Sequence, residues 1–139
     1  MIQLIIGEKG KGKTKILLEK ANSEIKKVNG NIVYLDKSSQ HMYELNNRIR
    51  LIDVTGFPVS NSDEFLGFIS GIISQDHDLE QMYLDSFLKI AGLEGKDVTV
   101  ALEKLDKISK QFGVNFIISI SLTKEQLPEA MRDSIIAEL

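Results

Sequence analysis

The fold of this chain is decided by one stretch near its start: Gly7-Glu8-Lys9-Gly10-Lys11-Gly12-Lys13-Thr14. This stretch, called the glycine loop below, has the form G-x-x-x-x-G-K-S/T and follows the apolar run Ile2–Ile6, which predicts a buried strand. Its glycines permit backbone conformations in which successive N–H groups point at one anion. The stretch therefore predicts a loop that binds phosphate groups, with Lys13 reaching the outer phosphates and the Thr14 hydroxyl binding Mg²⁺.

The residues after the loop extend this pattern. Apolar residues at helical spacing from Leu17 to Val28 predict a helix over 13–28, which Asn29-Gly30 would close. With strand, loop and helix in register, the chain resembles the P-loop NTPase superfamily, whose Walker A motif it carries in full. The resemblance implies binding of a nucleoside triphosphate with Mg²⁺, and ATP is the expected nucleotide. Its expected contacts are Gly7, Glu8, Lys9, Gly10, Lys11, Gly12, Lys13 and Thr14.

Strand-like and helical patterns alternate through the rest of the chain. Strands are predicted at 31–36, 49–54, 81–85 and 114–121, with short helices around 42–46 and before 92. Longer helices are predicted after Asn61, which forms a capping box with Glu64, and after the capping residue Asp97. A last helix is predicted from Pro128, with Met131, Ile135 and Ile136 on its apolar face. The predicted fold is one α/β domain over 1–139, a three-layer sandwich in which helices cover both faces of a mostly parallel sheet of about five strands.

A P-loop protein needs a second acid near the metal, and two residues are candidates. Asp85 resembles the Walker B aspartate of the ATPase branch (ASCE, RecA-like), in which one further strand lies between the loop strand and the Walker B strand. Asp53 begins Asp53-Val54-Thr55-Gly56, which matches the D-x-x-G motif of GTPases. The extra glycine at position 10 favours Asp85, as does Gln126 at the place where GTPases have the acid of N/T-K-x-D. Thr14 and Asp85 are therefore the expected metal residues, and Asp53 stays as the alternative.

The expected catalytic set is Lys13, Asp85, Asp36 and Ser121. ATPases of this branch usually have Glu directly after the Walker B aspartate, but Ser86 stands there. Asp36, at the end of the second strand, is the expected substitute; the alternative is a solvated carboxylate. Ser119, Ser121 and Thr123 follow the final apolar strand, and Ser121 is the expected polar sensor, although hydroxyls that end a strand and cap the next helix explain all three equally well. His41, in a polar connector, is expected to be solvated.

Composition limits the classes of function. There are 20 acidic and 17 basic residues, a formal net charge of −3, which argues against broad binding to nucleic acid. The chain has no Cys, and no apolar run reaches the ~20 residues that span a bilayer, so a cytoplasmic protein without a membrane role is expected. The expected function is MgATP binding with weak ATP hydrolysis stimulated by a protein partner or by a homo-oligomer. The alternatives are a nucleotide-dependent interaction module and a GTPase-like switch that uses Asp53.

Overall fold

Six strands form one sheet, and every strand pairing in it is parallel. The computed structural model describes all residues, Met1–Leu139. The order across the sheet is β3-β2-β4-β5-β1-β6. The strands are β1 (Ile2–Ile6), β2 (Asn31–Asp36), β3 (Arg50–Asp53), β4 (Leu79–Leu84), β5 (Asn115–Ile120) and β6 (Ile135–Glu138).

Four α-helices connect these strands. They are α1 (Lys13–Glu24), α2 (Ser62–Ser74), the short α3 (Phe87–Ile90) and α4 (Thr99–Phe112). Short 3-10 turns lie at Met42–Glu44, Val54–Gly56, Lys124–Gln126 and Glu129–Ser134. No helix combines the length and the apolar character that crossing a bilayer requires.

Apolar side chains are buried on both faces of the sheet, because successive residues of a strand point to opposite sides. On one face Ile5 packs in a cluster with Leu17 and Ala21 of α1. On the other face Leu4 belongs to a larger cluster that includes residues of α2, α3 and α4. Helices on both faces of a parallel sheet are therefore observed as predicted, and the carboxyl ends of all six strands meet at one edge.

The chain after Pro128 differs from the prediction. A 3-10 turn replaces the expected helix, and Ile135–Glu138 forms the sixth strand. The spacing of Met131, Ile135 and Ile136 suits a helix, but the free edge of β1 offers backbone hydrogen-bond partners to an extended segment. The sheet therefore has six strands where about five were expected.

Three smaller predictions also need correction. The first helix ends at Glu24, so Gly30 is no helix cap; a Cβ there would lie 2.0 Å from the carbonyl oxygen of Asp78, and only glycine allows that approach. The helical spacing of Phe112 with the apolar residues after Asp97 predicts burial, but Phe112 is exposed at the end of α4. Asn61 does accept a hydrogen bond from the Glu64 N–H, whereas the Glu64 carboxylate accepts from Ser60 rather than from Asn61.

Candidate functional site

The glycine loop leaves the carboxyl end of β1 and enters α1 without a break. Gly10 and Gly12 have φ angles of 79° and 94°, a left-handed backbone that other residues rarely adopt. Gly12 stands at the helix start and offers no side chain as a cap, so the first N–H groups of α1 have no side-chain acceptor there. A loop of this kind suits an anion at its centre.

Lys13 is held inside this loop. Its side chain is buried, and its ammonium group donates a hydrogen bond to the Glu8 carbonyl oxygen at 2.9 Å. Burial lowers the pKa of Lys13 below its ordinary value, while the negative charge of Asp85 opposes that change and the positive charge of Lys9 adds to it. The chain thus keeps a cation beside the loop N–H groups, at a cost in solvation that an anionic ligand would offset.

Asp85 follows β4 directly, and three hydroxyl groups hold its buried carboxylate. Thr14 and Ser119 donate to Oδ1 at 3.1 and 3.0 Å, and Tyr34 donates to Oδ2 at 2.7 Å. These donors come from α1, β5 and β2, so the carboxylate is fixed by three separate elements. The Thr14 hydroxyl and the Asp85 carboxylate are oxygen groups, which Mg²⁺ prefers as ligands.

The strand order explains why Asp85 and the loop meet while Asp53 stays apart. One strand, β5, lies between β1 and β4, whereas β2, β4 and β5 all lie between β1 and β3. Asp53 instead accepts hydrogen bonds from the N–H and the hydroxyl of Thr55. The hydrogen bonds of the Asp53 carboxylate therefore lie within a local turn at the edge of the sheet.

A cavity of about 400 Å³, called the main cavity, opens between the loop and the ends of β4 and β5. Leu88 is the one hydrophobic residue among those that line it. The lining residues that the sequence predicted are Lys9, Gly10, Gly12, Lys13, Thr14, Asp85 and Ser121. Gly7, Glu8 and Lys11 line a second hollow beside the end of β6, so the predicted eight-residue contact set is divided between two sides of the loop.

Asp36, the expected water-polarising residue, is not among the residues that line the main cavity. It is buried, and its carboxylate accepts from the Lys37 N–H at 2.7 Å and lies 2.9 Å from Nδ1 of His41. Burial raises the pKa of Asp36 and the nearby charge of Asp85 acts in the same direction, while the His41 hydrogen bond opposes the rise. The expectation of a solvated His41 is wrong, since most of its ring is covered and it pairs with Asp36.

Metal-ligating groups come together at one further point. One ligand atom each from Asp36, His41 and Asp85 lie within 4.8 Å of one another. Asp36 and His41 already satisfy each other by a hydrogen bond, and neither of them reaches the main cavity. Thr14 and Asp85, by contrast, both line the main cavity, and their oxygen atoms could hold a metal ion there.

Ser86, the residue after Asp85, contacts Ser119, which is one of the donors to the Asp85 carboxylate. Ser86 has φ 54° and ψ 50°, a left-handed conformation that is rare outside glycine, and its N–H donates to the Ser119 hydroxyl at 3.0 Å. Ser121, the residue expected as a sensor, lines the cavity, but it is Ser119 that contacts Asp85. The sequence offered both serines as strand-end hydroxyls and contained no signal to choose between them.

Several cavity residues had no signal in the sequence at all. Lys37 and Lys89 line the main cavity as exposed lysines, and Glu94 does so as the ion-pair partner of Lys9 at 3.6 Å. Tyr34 looked like an ordinary aromatic of a buried strand. No protein-family model matches the chain, and no curated protein matches its sequence.

Proposed function

We propose that this protein is a P-loop nucleoside triphosphatase of the ATPase branch, which binds MgATP in the main cavity. The observation that carries the proposal is the 3.1 Å hydrogen bond from the Thr14 hydroxyl to the Asp85 carboxylate. One strand, β5, lies between β1, which leads into the loop, and β4, which Asp85 follows. That contact joins the end of the loop to a strand-end acid in the arrangement that the ATPase branch requires.

Each group then has a defined role. The loop N–H groups and Lys13 bind phosphate oxygens. Ser121 is a further polar group that lines the cavity. The Thr14 hydroxyl would hold Mg²⁺, and the Asp85 carboxylate would hold it through water. Mg²⁺, when bound, neutralises charge on the phosphates. The base preference for ATP over GTP rests on the resemblance of the loop, and titration with both nucleotides checks it.

Binding is tested by titrating the protein with a fluorescent ATP analogue in the presence of Mg²⁺. We expect Lys13→Ala to weaken binding at least about 100-fold, because it removes a buried cation that bonds phosphate. Lys26→Ala is the matched control, because Lys26 is exposed and does not line the main cavity. This variant should keep the affinity within about twofold of the wild type. Equal affinity of Lys13→Ala and the wild type would remove the proposal.

Hydrolysis by the isolated protein should be slow, with turnover below about 1 s⁻¹. The reason is that Asp85 and Glu94 are the carboxylates of the main cavity, one suited to the metal and the other paired with Lys9. A protein partner or a second copy of the chain would supply the missing group. Turnover per molecule, measured over a wide range of protein concentration, should rise if the second copy is the activator, and a flat profile excludes self-assembly.

A nucleotide-dependent interaction module is the second candidate, and the same lack of a free base in the cavity favours it. In that case Lys13→Ala weakens MgATP binding and Lys26→Ala does not, but no phosphate is released at any protein concentration. The GTPase-like alternative has no support in this geometry, since Asp53 lies at the opposite part of the sheet. A cytoplasmic location and the absence of a membrane role fit either candidate, because MgATP is abundant there.

A further inference from the structure

Two lysines line the main cavity without belonging to the glycine loop. Lys37 directly follows β2, and Lys89 lies in α3, just after Asp85 and Ser86. Neither ammonium group lies within 4.0 Å of a carboxylate oxygen, whereas Lys9 is paired with Glu94. Both are therefore free cations beside the cavity that the proposed function assigns to a nucleotide.

The charges of the cavity are unbalanced in favour of cations. Four lysines and two carboxylates line it, although the chain as a whole carries a net charge of −3. Glu94 is paired with Lys9, and Lys13 lies in the field of Asp85. Lys37 and Lys89 remain without a carboxylate partner. A cavity with this excess of cations and only one hydrophobic residue in its lining suits a ligand group with more than one negative charge.

The position of the two lysines identifies which phosphate they would meet. Thr14 and Asp85 would hold a metal ion that neutralises charge on the outer phosphates, so the outermost phosphate of a triphosphate would lie toward Asp85. Lys37 and Lys89 come from the β2 and β4 side of the cavity, where Asp85 also stands, while the loop comes from the β1 side. A diphosphate held by the loop alone leaves that side without an anion.

We propose that Lys37 and Lys89 bind the terminal phosphate of the nucleotide and make the site select triphosphates over diphosphates. This inference rests on the proposed function. The proposed function assigns the phosphate contacts to the loop and Lys13. The inference adds two further lysines, on the side of the cavity away from the loop.

The test is the ratio of affinities for two nucleotides. Calorimetric titrations with a non-hydrolysable ATP analogue and with ADP, both with Mg²⁺, are run on the wild type, Lys37→Ala, Lys89→Ala and the control Lys26→Ala. We expect each cavity variant to lose about tenfold in affinity for the triphosphate, as for one charge-assisted hydrogen bond, and less than about twofold for ADP. Arginine at either position should restore most of the triphosphate affinity, because it keeps the charge.

The outcomes separate this inference from the proposed function. If the wild type binds neither nucleotide, both fail. If the wild type binds and Lys13→Ala does not, but the variants at 37 and 89 keep the wild-type ratio, only the selection by Lys37 and Lys89 fails. Equal losses for ATP and ADP also overturn it, since they indicate a general charge effect. Lys37→Ala keeps the backbone N–H that donates to the Asp36 carboxylate, so this contact is retained in the variant.

Discussion

Asp85 and Asp53 both stand at the carboxyl ends of parallel strands, but they have different surroundings. Asp85 is 1% exposed, and hydroxyl groups from three elements donate to it. Asp53 is partly exposed, and its partners come from Thr55, two residues away. One carboxylate is held by the tertiary fold and the other by a local turn. The position of a strand in the sheet, and not the motif around its last residue, separates the two.

The donors around Asp85 are also neutral. Hydroxyl groups satisfy the hydrogen-bonding capacity of a buried carboxylate without cancelling its charge. Lys13 attracts it only across space, because its ammonium group donates to the Glu8 carbonyl oxygen. The Asp85 carboxylate therefore has no cation among its hydrogen-bond partners.

The largest difference between these aspartates should appear in metal-dependent chemistry. Asp85→Asn keeps the shape of the side chain and removes its charge, and we expect Mg²⁺-dependent phosphate release to fall at least about 100-fold. Asp53→Asn should stay within about twofold of the wild type, because its contacts are confined to a surface turn. Phosphate release at saturating Mg²⁺ and ATP measures both variants. Comparable losses in the two would break the comparison.

A comparison of two stacked tyrosines tests the importance of the hydrogen bonds to Asp85. The rings of Tyr34 and Tyr83 lie on the same face of the sheet, with centroids 6.0 Å apart, but Tyr34 donates to Asp85 whereas Tyr83 donates to the Gln81 side chain. Tyr34→Phe leaves one oxygen of a buried carboxylate without a donor, so we expect a loss of about 1–3 kcal/mol in the free energy of unfolding. Tyr83→Phe should cost about 1 kcal/mol, since its partner is a neutral amide.

Magnesium dependence distinguishes a positioning role of Tyr34 from a purely structural one. The half-saturating Mg²⁺ concentration for ATP binding should rise several-fold in Tyr34→Phe and stay unchanged in Tyr83→Phe. Chemical denaturation provides the stability values for both proteins. A Mg²⁺ shift of the same size in Tyr83→Phe would show that general loosening of this face, and not the bond to Asp85, is responsible.

The smallest effect concerns Asp36, the third strand-end aspartate. Burial raises its pKa in the folded protein, so the folded state favours the protonated carboxyl more than the unfolded chain does. Its contribution to the free energy of unfolding therefore falls as the pH rises from about 4 through the folded pKa. The stability of Asp36→Asn relative to the wild type should increase over that interval and then level off.

Denaturation at a series of pH values measures this trend. The series is repeated in a His41→Asn background, because the His41 ring is hydrogen-bonded to the Asp36 carboxylate. A relative stability that does not change with pH contradicts the expectation.

The elements with a strong local pattern could be predicted from the sequence. The run Ile2–Ile6, the glycine loop and the start of α1 are consecutive, and their spacing alone predicts strand, loop and helix. The α2 start is equally local, since Asn61 caps it by a hydrogen bond to a residue three positions away. In each case the residues that determine the element also lie within it.

What could not be predicted depends on partners far away in the chain. The strand β6 exists because β1 has a free edge, and the apolar residues after Pro128 suit a helix as well as a strand. Tyr34 reaches Asp85 because β2 and β4 pair with Tyr34 opposite Tyr83, a register that no local pattern encodes. Lys37 and Lys89 have no distinguishing pattern in the sequence, because only the folded sheet places the ends of β2 and β4 near the loop.

The left-handed backbone at Ser86 restricts how this site could be engineered. The residue directly after Asp85 is where an acid that activates water would be introduced, yet a non-glycine residue in this conformation costs about 1–2 kcal/mol. Asp and Asn tolerate it better than Glu. If the proposed ATP hydrolysis is to be accelerated, Ser86→Asp is therefore a better starting design than Ser86→Glu. The tether from the N–H of residue 86 to Ser119 would be retained in either design, because it uses the main chain.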